Sequence, residues 1–163
     1  MASAPKFCAA IAAAALVSSA AGAQGVITQK NVSLALAQEI ANAAMDKCKE
    51  MGFKISVEVI DRDGLPIVML RGDGAALMTP EGADRKAYTA RTFNAPSADF
   101  VKRMHDNPGV AGSIQYTRVL ALGGGLPIKA GDEVIGAVGV SGSPGKDDEC
   151  AQAGIDKVAS QLK

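Results

Sequence analysis

Residues Glu133–Gly154 read "EVIGAVGVSGSPGKDDECAQAG", a glycine-rich run leading into a lysine and three acids. A phosphate loop of the form G-x-x-x-x-G-K-[ST], anchored on Gly145-Lys146, needs a glycine at position 140 and a hydroxyl at 147. The chain has Val140 and Asp147 there, and Asp148 and Glu149 add further charge that repels a phosphate. The dinucleotide pattern G-x-G-x-x-G fails as well, because Gly136, Gly139 and Gly142 are spaced evenly by three. The stretch therefore reads as a strand, a Ser-Gly-Ser-Pro-Gly turn and the acidic first turn of a closing helix. Gly136 and Gly139 fall on opposite faces of that strand and remove side chains where another backbone or a flat ligand approaches closely.

Working outward, "LPIKAGD" supplies a short strand and a turn ahead of "EVIGAVGV", and "RVLAL", Arg118–Leu122, is strand-like before that. Gly123, Gly124 and Gly125 form a bulge or kink where the sheet ends. The closing helix turns Ala151, Ile155, Val158 and Leu162 inward. Nearer the start, Ala37, Ile40, Ala41, Ala44, Cys48 and Met51 recur at helical steps between a Ser33 cap and Gly52. "KISVEVI" then alternates, "DRDG" turns the chain, and "LPIVMLR" completes a hairpin. That turn lacks the later oxygen ligands of a calcium loop. Thr79-Pro80-Glu81 opens a helix with a capping hydroxyl, a first-turn proline and an acid, running to about Thr92. Ala83, Ala87 and Ala90 let it lie close to a sheet, and a short helix from Ser97 to about Met104 ends at Asn107-Pro108-Gly109. The order α, β, β, α, α, β, β, β, α is that of an antiparallel α+β sandwich.

Residues 1–23 stand apart. A short basic start, the apolar run Phe7–Val17 and small residues at Ala21 and Ala23 make a secretory signal, too short to span a bilayer. Cleavage after Ala23 leaves a single domain, residues 24–163, expected in the periplasm or secreted. No other apolar run spans a membrane. Without Lys6, 16 basic residues face 17 acidic ones, and no Trp, two Tyr and four Phe leave little for base stacking, so a nucleic-acid partner is not expected. Of the mature cysteines, Cys48 and Cys150 either bridge in an oxidising compartment or stand as two buried thiols.

Hydrolase constellations are incomplete. His105 is the sole histidine, and "GVSGS" carries its second glycine one position too early for a nucleophile elbow. His105 in "RMHDNPG" reads as a surface residue that can also ligate a haem iron. Arg85, Lys86 and Arg91 read as a solvated helix face, with Lys86 near enough to the alanine stripe to meet a ligand carboxylate.

Two motifs together, "RGDGAALMTPEGADRKAYTA" and "GGGLPIKAGDEVIGAVGVSGSPGKDDECAQAG", resemble the GlcG/HbpS family of haem-binding proteins, related to a domain appended to some corrinoid adenosyltransferases. The likeness runs from about Ser33 to the end, through Arg71, Asp73-Gly74-Ala75, Lys86-Ala87 and Thr89-Ala90. It implies a profilin-like sandwich with a five-stranded antiparallel sheet between N- and C-terminal helices and a central helix pair. It also implies a homo-oligomer and, in some members, haem binding or haem degradation with release of iron. The leading expectation is thus an exported haem-binding protein, with His105 as axial metal ligand and Arg71, Lys86 or Arg91 pairing propionates. One alternative is an organic-acid module using Lys86, Arg91 and backbone N–H groups at Gly123, Gly124 and Gly125. Another is an enzyme with Asp73 and Lys86 as an acid/base pair.

Overall fold

The computed structural model describes Met1 and residues 25–163, so the expected signal segment lies, except for Met1, outside the described residues. Helix α1 (Leu34–Glu50) starts where Ser33 accepts from the Leu36 backbone N–H at 3.2 Å, and it hands over to the hairpin β1 (Ser56–Asp61) and β2 (Pro66–Arg71). Between these strands Asp61 Oδ1 accepts from both Asp63 N and Leu65 N at 2.8 Å, which fixes the turn from its own side chain. Then come α2 (Thr79–Phe93), α3 (Ser97–Asp106) and the one-turn α4 (Pro108–Ala111). After an irregular connection, β3 (Gly125–Ala130), β4 (Glu133–Ser141) and α5 (Asp147–Lys157) complete the chain.

All strand pairs are antiparallel in the order β2-β1-β4-β3. Alternation on β1 divides the sheet: Val57 and Val59 join Val138, Val140 and Ile128 against α1 and α5, while Ile60 and Ala137 meet Ala87 and Ala90 of α2. The first face holds the larger core, and within it the Cys48–Cys150 disulfide ties α1 to α5 across a Cα–Cα distance of 5.6 Å.

The sheet has four strands among the described residues, not five. "RVLAL" has strand-like side chains, but its backbone polar groups are engaged elsewhere. Leu120 N donates to Thr89 Oγ1 at 2.8 Å, Val119 O accepts from Arg85 Nη2 at 3.0 Å, and Val119 N reaches back to Tyr116 O. Side chains of α2 thus replace the ladder a fifth strand would make. Thr79 differs as well. It is the first residue of α2 rather than its cap, and its hydroxyl donates to Ala76 O and lies 2.8 Å from Ser56 Oγ.

Helix α2 sits unusually close to the sheet. A Cβ built on Gly139 would overlap the Ala83 carbonyl and come within 2.6 Å of Ala87 N; one on Gly125 would overlap the Lys86 carbonyl. Both contacts are with backbone, which has little room to yield. Gly139→Ala therefore forces α2 off β4 and is expected to destabilise the fold by about 3 kcal/mol, measured as a lower urea midpoint. A midpoint unchanged from wild type would show that the helix is not held at this distance.

Candidate functional site

The close seating of α2 places Lys86 under the sheet's end. Lys86 belongs to the stripe that carries Ala83, Ala87 and Ala90 inward, and its residue exposure is only 4%. A buried ammonium needs acceptors. Its Nζ donates to Asp147 Oδ2 at 2.6 Å and to the Val140 carbonyl at 3.1 Å. Asp147, the first residue of α5, is held in turn by Ser143: backbone N–H and hydroxyl both donate to Oδ1, at 2.9 and 2.7 Å. Ser143 Oγ also lies 3.1 Å from Cys48 Sγ, so the ion pair and the disulfide share one neighbour.

Above this pair opens a cleft of ≈ 570 Å³. Ala76, Met78, Leu122 and Pro144 give it apolar walls, and Thr79, Lys86, Ser141, Asp147 and Asp148 supply the polar groups. Met78 and Leu122 are exposed at 70% and 55%, an open apolar lip of the kind that accepts an amphipathic ligand. Gly123 lines the cleft, and the two glycines after it are tied down behind it: Gly124 N donates to Asp148 Oδ1 at 2.8 Å, and Gly125 N to Ser97 Oγ at 2.9 Å. Both backbone donors are thereby occupied. Asp147, weighed in the sequence only as a group that repels phosphate, proves to be the counter-ion of Lys86. The signal that leads there is the alanine stripe, which buries Lys86 and so demands an acid.

The other residues singled out from sequence go to separate places. Arg71 and Asp73 line a second hollow of ≈ 540 Å³ with Lys49, Lys54 and Phe53, and Arg71 donates to the Ala75 carbonyl at 2.7 Å. Arg91 faces a third hollow with Arg62 and Glu133; its Nε donates to Arg62 O at 2.6 Å and Nη1 to Asn94 Oδ1 at 2.9 Å. His105 stands in the last turn of α3, its side chain 90% exposed and 3.3 Å from Asp106. Ala98 at the start of α3 adjoins Gly123, so His105, seven residues on, lies about 10 Å further along the helix. Lys86 and Gly124 are thus brought together, while Arg71 with Asp73, Arg91 and His105 are not. Lys86 is also not a solvated residue: burial and Asp147 replace the water it was expected to meet. Among the described residues no cluster of three or more His, Cys, Asp or Glu is placed to hold a metal ion. No described helix is long and apolar enough to cross a membrane.

One further titratable group was not foreseen. Glu58 on β1 is 2% exposed and faces α2, near Asp84 and the Arg118 that pairs with it. Burial first, then the Asp84 charge, push its carboxyl from the ordinary 4.5 up to about 7, against a lowering pull from Arg118. Because the folded state holds this proton more tightly than the unfolded chain, the stability it contributes is full below pH 4.5 and is lost as pH rises through about 7. Glu58→Gln is expected to be more stable than wild type at pH 8 by something on the order of 3 kcal/mol, with the difference shrinking toward pH 4. Parallel stability–pH curves from urea titrations would contradict it.

Comparison with known proteins places these features in a setting. The family model described as "Haem degrading protein HbpS-like" matches residues 32–156. An uncharacterized 15.0 kDa protein in the dhaT-dhaS intergenic region of Citrobacter freundii is 31% identical over 129 residues, 77% of this chain and 90% of that protein. The crystal structure of a double mutant of Streptomyces reticuli HbpS superposes with a TM-score of 0.76 at 32% identity, covering 93% of this chain and 97% of that one. The PduOC:heme complex superposes with a TM-score of 0.70 at 25% identity, over 77% of this chain and 94% of the other.

Proposed function

Since this chain belongs to the HbpS-like family, we propose that it binds haem, with the ring in the cleft between Met78, Leu122 and Pro144 and the start of α5. The observation that carries this reading is the cleft itself: an open, mostly apolar slot whose one buried cation is already neutralised. A flat ring gains burial against Ala76, Met78, Leu122 and Pro144 without stranding a charge. The heme-bound structural relative supports the ligand class. Bound haem would supply an iron centre to which the protein adds ligation and a dry wall.

The geometry bears on the ligand to iron. Met78 is the cleft-lining residue with a side chain that haem iron accepts, since the lining includes no His, Cys or Tyr. His105, the ligand favoured from sequence, is about 10 Å along α3 from the Gly123 edge and would reach the ring only from outside. The organic-acid alternative is weakened by the same contacts: the Gly124 and Gly125 N–H groups it needs are taken by Asp148 and Ser97. A saturable Soret shift at one hemin per chain is expected for the mature protein. Met78→Ala should move that band and His105→Ala leave it in place. No saturable shift at stoichiometric hemin would sink haem binding; a change on His105→Ala alone would return the ligand to α3.

Export to the periplasm or the medium is part of the proposal. The Cys48–Cys150 bond supports it, because such links persist in oxidising compartments. The homo-oligomer implied by the family resemblance is also part of the proposal, with Leu65, Leu77, Ile114 and Tyr116 exposed and available to such a contact. Protein recovered from outside the cytoplasm should begin at Gln24 by N-terminal sequencing; recovery only of cytoplasmic chain beginning at Met1 would refute the export.

A further inference from the structure

Among the described residues, one buried side-chain nitrogen or oxygen lacks a hydrogen-bond partner: Arg85 Nε. Buried donors are nearly always paired, so an orphan N–H points to an acceptor supplied from elsewhere. The remaining nitrogens of Arg85 are engaged, Nη1 with Glu81 Oε1 at 3.1 Å and Nη2 with the Val119 carbonyl at 3.0 Å. Arg85 lines a side hollow of ≈ 280 Å³ that shares Met78, Lys86, Leu122 and Ser141 with the main cleft. The two spaces thus share a wall.

Two cations border this hollow and they differ in availability. Lys86 is buried against Asp147, with side chains 5% and 12% exposed. Arg85 has only Glu81, whose side chain is 70% exposed and weakly held in water. An incoming anion therefore competes with water-exposed Glu81 for Arg85, whereas at Lys86 it would have to break a buried pair.

Resting on the haem reading above, we infer that Arg85 anchors a carboxylate of the bound ligand, a propionate-type group that enters the side hollow, displaces Glu81 and accepts the Nε–H. The guanidinium fork suits a planar carboxylate, and a carboxylate is the class of group that satisfies an orphan donor and a cation together. The ring then lies with its apolar edge against Pro144 and its acidic edge toward Arg85, a different anchor from the Arg71, Lys86 or Arg91 expected from the sequence.

The test compares hemin with hemin dimethyl ester, titrated into wild type, Arg85→Met and Glu81→Gln. Wild type should prefer hemin by about tenfold. Arg85→Met should lose that preference by weakening hemin alone, and Glu81→Gln, which leaves the Val119 contact intact, should tighten hemin without affecting the ester. Equal weakening of both porphyrins by Arg85→Met would overturn the assignment, leaving Arg85 as a tether for Val119. Indifference of wild type to esterification would overturn it as well. If wild type binds neither porphyrin, the haem reading fails and the anchor falls with it.

Discussion

The backbone of α2 rests on the backbones of β3 and β4, and everything at the candidate site follows from that distance. Gly139 and Gly125 make it possible, since a methyl group at either position would overlap a carbonyl of the helix. Ala83 and Ala87 supply the matching small side chains on the helix. With so little space between the layers, a long side chain on the inward stripe cannot lie flat in the core. Lys86 instead runs out to the end of the sheet, where its ammonium meets Asp147 and the Val140 carbonyl.

That ion pair joins the two faces of the molecule. Asp147 opens α5, which packs on α1 across the other side of the sheet, and Ser143 links it to the sulfur of Cys48. A buried pair of this kind contributes little net stability, but losing either partner leaves a charge stranded. Its consequence here is geometric: it fixes the start of α5 against α2 and so sets one wall of the cleft. The connection from Tyr116 to Leu122 sets the other, held by Arg85 and Thr89 of α2 and by its own Arg118 pairing with Asp84 on the same helix.

Much of the architecture was legible because periodicity is local. The alternation in Ile55, Val57 and Val59, the helical recurrence in α1, and the rejection of a phosphate loop at Val140 and Asp147 all rest on neighbouring residues. What was lost depends on partners far away in the chain. Val119 and Leu120 look like strand residues until Arg85 and Thr89 take their backbone groups. The Cys48–Cys150 pairing, open in the sequence, needed the packing of α5 on α1 to be decided. Arg71 ends edge strand β2 and Gly125 begins the opposite edge strand β3, so residues of the two motifs stand on opposite edges of the sheet, and Arg71 lines a hollow away from the cleft. The burial of Lys86 was implicit in the alanine stripe; its counter-ion 61 residues later was not.

Close packing of α2 on the sheet builds the cleft in which we propose that the haem ring sits. Iron anomalous scattering from a crystal of the hemin-loaded protein locates the metal directly. A single strong peak per chain is expected inside the space bounded by Met78, Leu122 and Pro144. A peak beside Arg91 and Glu133, among Lys49, Lys54 and Arg71, or at His105 away from that space would contradict it.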